Sequence, residues 1–110
     1  MSKYQTTISA DGTVELGVIK RNTGNFPSEL MFFGYGTWGS GTLTLYWSPD
    51  AGTTKIAMTD LSNAAVTSTV NFGIRSSFIT GGKNSDKIHL YATLAGSTNP
   101  SLTVGFYDND

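Results

Sequence analysis

Hydrophobic and polar residues alternate along most of the chain. Runs with an apolar residue at every second position lie at Val14–Val18, Leu43–Trp47, Val70–Ile74, Ile88–Leu94 and Leu102–Phe106. Alternation with period two is typical of strands that have one face in a core and the other in water. Helical periodicity extends over no window of normal helix length, and the one weak candidate for a helical turn is Thr59–Ala65. The pattern therefore predicts an all-β chain.

Turn residues separate the predicted strands. Asp11-Gly12 is a short hairpin signal between the first two of them. Ser48-Pro49-Asp50-Ala51-Gly52 combines a proline, which restricts φ, with a glycine that tolerates a left-handed conformation. This turn predicts a hairpin that pairs Leu43–Ser48 with Thr54–Met58.

The number and spacing of the strands indicate the fold class. About eight short strands, with turn signals at regular intervals, predict a single-domain antiparallel β-sandwich over residues 1–110. A jelly-roll-like and an immunoglobulin-like sandwich both fit this pattern, and the strand order stays open. Residues 1–7 are polar, and short polar termini are often flexible until they are tied down. The sequence leaves open whether this segment is ordered alone or only when docked.

One strand is apolar on both faces. Within Ser28–Gly34, Leu30 and Phe32 lie on one face of the strand, whereas Met31 and Phe33 lie on the other. A small two-layer domain offers only one core, so the second face needs another surface to cover it. The glycine-rich loop that follows carries Tyr35 and Trp38, and large aromatic side chains are common in interfaces. We therefore predict that Met31, Phe33, Tyr35 and Trp38 contact another protein, and we favour a contact between subunits.

Composition argues against several classes of function. Charged residues make up 14% of the chain, the formal net charge is −1, and only Lys20 and Arg21 are adjacent basic residues. Nucleic-acid binding and membrane-surface binding both need a basic cluster, so neither is expected. Cysteine is absent, which removes disulfides, thiolate metal sites and cysteine nucleophiles. The first residues lack the apolar region of a secretion signal, and we expect a soluble protein made in the cytosol.

No catalytic or metal site is predicted. His89 is the only histidine, and it lies on an alternating strand without an obvious nucleophile or orienting acid. The carboxylates are dispersed, and no pair has the spacing that would single it out for acid–base chemistry. Asp11, Asp50 and Asp86 lie in predicted turns, where aspartate binds backbone amides. A non-enzymatic protein without a cofactor is expected.

Carbohydrate binding is an alternative reading of the aromatic residues. Tyr46 and Tyr91 fall on the outward phase of their strands, and Trp38 lies in a loop, so all three could stack on sugars. Trp47, however, alternates with Leu43 and Leu45 and belongs to the predicted core. An exposed apolar patch marks a protein contact at least as often as a sugar site.

Two segments carry a family resemblance. In Gly41–Thr54 a strand ends in Trp-Ser-Pro-Asp ahead of a Gly-Thr-Thr turn, and in Ile88–Val104 a strand leads through a Gly/Ser/Thr-rich turn and Pro-Ser-Leu into a last strand. In these features the chain resembles short proteins encoded among the virion genes of tailed bacteriophages. Such proteins often have Gly-Gly after the aspartate, where this chain has Ala51-Gly52. The Tyr35–Trp38 loop is not part of the resemblance.

The resemblance implies a structural component of the virion, made in the host bacterial cytoplasm. The expected role is a capsid decoration (cement) protein that binds the phage major capsid protein, or another virion protein, as a homo-oligomer, with a trimer favoured. A neck or tail adaptor and a head-fibre protein are alternatives within the same class. The resemblance implies no catalytic role for any residue. Symmetric self-association would cover the second face of Ser28–Gly34.

Overall fold

The structure, a computed structural model, describes residues 2–20, 28–59, 62, 64–78 and 87–108. These residues form nine strands and no helix, which confirms the prediction of an all-β chain. The strands are β1 (Ser2–Ile8), β2 (Gly12–Lys20), β3 (Ser28–Thr37), β4 (Thr42–Ser48), β5 (Ile56–Ala57), β6 (Thr67–Ser68), β7 (Phe72–Phe78), β8 (Lys87–Ala95) and β9 (Ser101–Asp108).

The strands form two antiparallel sheets. The four-stranded sheet has the order β1-β9-β3-β7. The five-stranded sheet has the order β2-β8-β4-β5, and β6 also pairs with β4. The N-terminal segment, whose order the sequence leaves open, is β1, and it pairs with β9 from Ser2↔Asp108 to Ile8↔Leu102.

The strand order is that of a jelly roll. The first strand pairs with the last, the second with β8 and the third with β7, as happens when an antiparallel ribbon is wrapped into two sheets. β4 lies at the end of the ribbon and pairs with β5 and β6. An immunoglobulin-like sandwich would place the first two strands side by side in one sheet. The jelly-roll-like alternative is therefore the one observed.

The core lies between the two sheets. Each strand of the sandwich turns alternate side chains inward, as the sequence pattern predicts. Phe32 and Phe106 pack together with ring centroids 5.5 Å apart, and Tyr4 stacks on Phe106 at 4.7 Å. Aliphatic side chains from both sheets surround these rings: Ile8, Leu16, Ile19, Leu30, Leu43, Leu45, Leu90, Leu94, Leu102 and Val104. Burial of each such side chain contributes about 1.5–3 kcal/mol to folding.

Two positions depart from the predicted alternation. The register between β2 and β8 shifts between Glu15 and Gly17, so Leu16 is an extra residue in its strand. After this bulge the inward position passes from Val18 to Ile19, which is fully buried, whereas Val18 is half-exposed. Val70 precedes β7 and is 65% exposed. The core positions predicted for Val18 and Val70 are therefore wrong.

The turn at Asp11-Gly12 joins the two sheets rather than two strands of one sheet, so the predicted hairpin is wrong. The Asp11 carboxylate accepts hydrogen bonds from the Gly96 amide (3.1 Å), the Ser97 amide (3.0 Å) and the Ser97 hydroxyl. These bonds, chiefly the one from the Ser97 hydroxyl, lower the pKa of Asp11 below its ordinary value. The carboxylate thereby ties the β1–β2 turn to the β8–β9 turn.

The predicted hairpin after β4 is confirmed, with Tyr46 opposite Ala57 and Trp47 opposite Ile56. Beyond β5 the Met58 amide donates to the Leu45 carbonyl, and the Leu45 amide donates to the Val66 carbonyl. The chain therefore leaves β4 after Met58 and returns at Val66. Within the weak helical candidate, Thr59 and Ala65 pair as an antiparallel bridge, and residues 60, 61 and 63 lie outside the described residues.

Candidate functional site

The outer surface of the four-stranded sheet carries three of the four residues predicted to contact another protein. β3 turns Leu30 and Phe32 into the core and therefore turns Met31, Phe33 and Tyr35 away from it. Met31 is 43% exposed and Tyr35 is 49% exposed, whereas Phe33 is half-buried. The structure thus brings Met31, Phe33 and Tyr35 into one outward row.

Two residues from the ends of the chain complete this surface. Tyr107 on β9 lies opposite Met31, and Lys3 on β1 lies opposite Tyr107. The Phe33 ring centroid is 5.5 Å from that of Tyr107 and 6.1 Å from that of Tyr35. Because β1 and β9 both pair into this sheet, residues distant in sequence share one patch. We call Lys3, Met31, Phe33, Tyr35 and Tyr107 the aromatic face.

Lys3 lies over the rings of the aromatic face. Its Nζ is 5.6 Å from the centroid of Tyr107 and 5.9 Å from the centroid of Phe33. A cation in this position is attracted by the negative face of each ring. The Lys3 side chain remains exposed. The aromatic face therefore combines apolar area with a positive charge that a partner can reach.

A glycine leaves space on one side of the Phe33 ring. Its cross-strand partners are Gly105 on β9 and Gly73 on β7, neither of which has a side chain. The Tyr107 ring on β9 therefore contacts Phe33 diagonally, and the Tyr35 ring contacts it from two residues along β3. A Cβ at Gly105 would collide with the Tyr4 backbone, whereas the nearest atom to a Cβ at Gly73 is 3.8 Å away. A side chain of a bound partner can therefore approach the ring beside Gly73.

Trp38 lies apart from the aromatic face. Its Nε1 donates a hydrogen bond to Asn71 Oδ1 at 2.9 Å, and its ring packs against Phe72 with centroids 6.3 Å apart. The same Asn71 oxygen accepts the Gly36 amide at 3.2 Å. Gly36 has φ of +128°, and a Cβ there would collide with the Ser101 carbonyl. Here β3 ends, and Trp38 packs against the edge of the core.

A second cluster of polar residues lies on the outer surface of the five-stranded sheet. His89 Nδ1 is 3.0 Å from Glu15 Oε2, across the β2–β8 pairing. Tyr91 points outward from β8, yet it is buried because the turn that follows β4 covers it. Burial raises the pKa of Tyr91 above its ordinary value, and a hydrogen bond with Glu15 adds to this effect. Lys55 Nζ lies 5.1 Å from the Tyr91 ring centroid.

This cluster contains the residue types of a Ser-His-Glu triad but not its bonding. Ser48 lies opposite His89 in the β4–β8 pairing. The buried Ser48 hydroxyl donates to Asp50 Oδ1 at 2.8 Å and accepts the Gly52 amide at 2.8 Å. A nucleophile would instead give its proton to the histidine. The hydroxyl therefore stabilises the turn after β4.

Sequence reasoning missed Tyr107, Lys3 and the contact between Glu15 and His89. Tyr107 lies on the outward phase of the Leu102–Phe106 alternation, which is a usable signal for exposure. Lys3 reaches the rings only because β1 pairs with β9, and Glu15 meets His89 only because β2 pairs with β8. Such long-range pairings leave no local trace in one sequence.

In the described part of the chain no three or more His, Cys, Asp or Glu side chains are grouped so that they could hold a metal ion. The same residues include no helix with the length and hydropathy that crossing a membrane requires. In comparisons with known proteins, the chain matches no family model, and no curated protein or solved structure shows significant similarity to it.

Proposed function

We propose that this chain is a non-enzymatic structural protein of a bacteriophage virion, a capsid decoration protein that binds the head surface as a homo-oligomer. The observation that carries the proposal is the aromatic face, an apolar patch on the outside of a sandwich that already has a complete core. Apolar patches with polar surroundings mark sites of protein contact. The resemblance of Gly41–Thr54 and Ile88–Val104 to phage virion proteins supports the capsid as the location.

The aromatic face supports a binding role through its composition. Interfaces are enriched in tyrosine, phenylalanine and methionine, and this face contains all three residue types. Tyrosine and phenylalanine lose little conformational entropy on binding, because each has only two side-chain torsions. Full burial of one such side chain contributes about 1.5–3 kcal/mol. A few of them therefore suffice to anchor a partner.

Self-association is part of the proposal. A closed symmetric oligomer buries the same patch on every subunit, and a trimer would suit symmetric positions on a capsid. Binding to the assembled head would then stabilise the particle by mass action, since the ligand binds only the assembled state. Catalysis has no part in this mechanism.

The first test is the native mass of the purified protein over a concentration series. We expect a trimer for the wild type and a shift to monomer for the double variant Phe33→Ser/Tyr35→Ser, which removes two outward rings. The matched control is Ile56→Ser, because Ile56 is an exposed apolar residue on the other sheet. A wild-type monomer at every concentration would reject self-association.

The capsid role has its own test. Virus particles that lack this protein should open at a lower temperature, and more readily at low salt, than complete particles. Equal resistance of the two kinds of particle would reject cementing. The copy number then separates a decoration protein, which covers the head, from a neck or tail adaptor or a head-fibre protein, which is present in few copies.

A carbohydrate-binding adhesion module is the second candidate. The observation that favours it is the near-parallel arrangement of Phe33 and Tyr35, with an interplanar angle of 27°. Rings in such an arrangement can stack on consecutive sugars. Quenching of tyrosine fluorescence by an oligosaccharide, lost in Tyr35→Ser, would support this candidate, and the absence of any binding on a glycan array would contradict it.

A further inference from the structure

Cations lie at both edges of the four-stranded sheet, one within the aromatic face and one beside it. Lys3 lies on β1 and Arg75 on β7, the two outermost strands, and both side chains are exposed. Arg75 pairs with Met31 in the β3–β7 register. Among the described carboxylates, Glu29 is at the start of the outward row on β3, where it has another interaction. Lys3 and Arg75 against Glu29 give this surface one net positive charge, whereas the chain as a whole has a net charge of −1.

Contact with a partner would remove water from Lys3. A charge that loses its water in an interface is costly unless an opposite charge replaces the water. The rings of Phe33 and Tyr107 hold the ammonium group in place but do not neutralise it. A complementary partner must therefore present a carboxylate at Lys3 and apolar atoms at the rings.

We infer that the aromatic face binds a protein segment in which an aspartate or glutamate lies beside large apolar side chains. The carboxylate contacts Lys3, and the apolar side chains cover Met31 and enter the space beside Phe33 at Gly73. Arg75 attracts the acidic segment from the opposite edge. This inference rests on the proposed binding function and specifies the chemistry of the partner.

A protein segment suits this face better than an acidic sugar does. Sugar sites place several hydrogen-bonding groups around a stacking ring. Gly73 and Gly105 lie directly opposite Phe33, so the hydrogen-bonding side chains of this surface, Lys3, Arg75 and the two tyrosines, are not its direct cross-strand partners. Met31 adds an unbranched, adaptable apolar side chain, which is a common feature of surfaces that bind peptides and proteins.

The test is a selection from a random dodecapeptide display library on the full-length protein, immobilised as separated single chains because the proposed oligomer covers the aromatic face. We expect enrichment of peptides that combine Asp or Glu with Phe, Leu or Trp. The best synthetic peptide should bind Lys3→Glu at least about tenfold more weakly than the wild type, because the variant carries the wrong charge. Lys3→Arg should bind within about twofold of the wild type, since it keeps the charge.

The matched control is Lys55→Glu, which makes the same change of charge at an exposed position outside the four-stranded sheet. It should leave peptide binding unchanged, and circular dichroism should show that all variants are folded. Enrichment without acidic residues, equal binding by Lys3→Glu, no enrichment at all, or binding of hyaluronan in place of peptides would each overturn the inference. Failure of the protein to bind virus particles would instead reject the virion role and leave the peptide result standing.

Discussion

At the scale of single residues, the turn after β4 shows how a few side chains shape the surface of the five-stranded sheet. The Asp50 carboxylate accepts the Thr54 amide at 2.7 Å and the Ser48 hydroxyl at 2.8 Å. These bonds, chiefly the one from Thr54, hold the pKa of Asp50 below its ordinary value. Gly52, in the same turn, lies against the Tyr91 hydroxyl. The turn therefore accounts for the burial of an outward-pointing tyrosine.

Two adjacent substitutions in this turn should have opposite effects. Gly52 has φ of +98°, and a Cβ there would lie 2.5 Å from the Tyr91 hydroxyl oxygen, so Gly52→Ala should lower the free energy of unfolding by about 1–3 kcal/mol. Ala51 has φ of +59°, a region that glycine occupies without strain, so Ala51→Gly should keep or raise stability. Urea unfolding of both variants measures this difference. Equal stabilities would contradict the described packing of Gly52 on Tyr91.

At the scale of elements, the bulge in β2 limits what alternation alone can predict. The period-two pattern identifies β2 as a strand, but it predicts that Val14, Leu16 and Val18 all point into the core. An extra residue at Leu16 shifts that phase, so Ile19 enters the core. The bulge depends on the pairing with β8, which the sequence of β2 by itself does not specify.

Alanine substitutions at these neighbouring positions test the phase directly. Ile19→Ala should lower the free energy of unfolding by about 2–5 kcal/mol, because it removes buried atoms and leaves a cavity. Val18→Ala should cost less than about 1 kcal/mol, because Val18 is half-exposed outside the core. Thermal or urea unfolding provides both values. If Val18→Ala lowered the free energy of unfolding more than Ile19→Ala does, Val18 rather than Ile19 would point into the core, as expected for a strand without a bulge.

The same reasoning explains which parts of the aromatic face were predictable. The sequence of β3 has apolar residues on both faces of the strand, and only one face can enter the core. Met31 and Phe33 could therefore be predicted to lie outside the core. Trp38 was grouped with them because it is close in sequence, yet β3 ends at Gly36 and Thr37, and Trp38 instead packs on Phe72. Lys3 lies near the N-terminus, and it reaches this surface because β1 pairs with β9. Its place depends on topology, which local patterns do not encode.

At the scale of the whole molecule, the wrapped ribbon makes nearly every strand depend on a distant one. β1 pairs with β9, and β2 pairs with β8, so the two ends of the chain close the sandwich together. Asp11 adds a link between the turns that join these strands. Pairing between distant segments is slow, because the chain loses loop-closure entropy before the contacts form. A sheet without its distant partner strand is therefore poorly stabilised. We therefore expect the two sheets to form and unfold as one unit.

The fold by itself does not select a function. Jelly rolls occur in viral capsid proteins and in lectins, so this topology is compatible with both candidate functions. What separates them is the surface of the four-stranded sheet, where apolar rings lie beside a cation with no side chain opposite Phe33. The sandwich supplies a rigid base for this surface, because Phe32 and Leu30 on the same strand are fully buried.

The two tryptophans allow the cooperativity of the molecule to be measured. Trp47 lies on β4 of the five-stranded sheet, and Trp38 packs on Phe72 of the four-stranded sheet, so Trp38→Phe and Trp47→Phe each leave one local probe. Both residues contact the single core between the sheets. In each variant, tryptophan fluorescence and far-UV circular dichroism should therefore give the same urea midpoint, as two-state unfolding requires. Loss of the Trp38 signal at lower urea than the circular dichroism signal would show instead that the end of β3 opens independently, and the aromatic face would then have a mobile boundary at Tyr35.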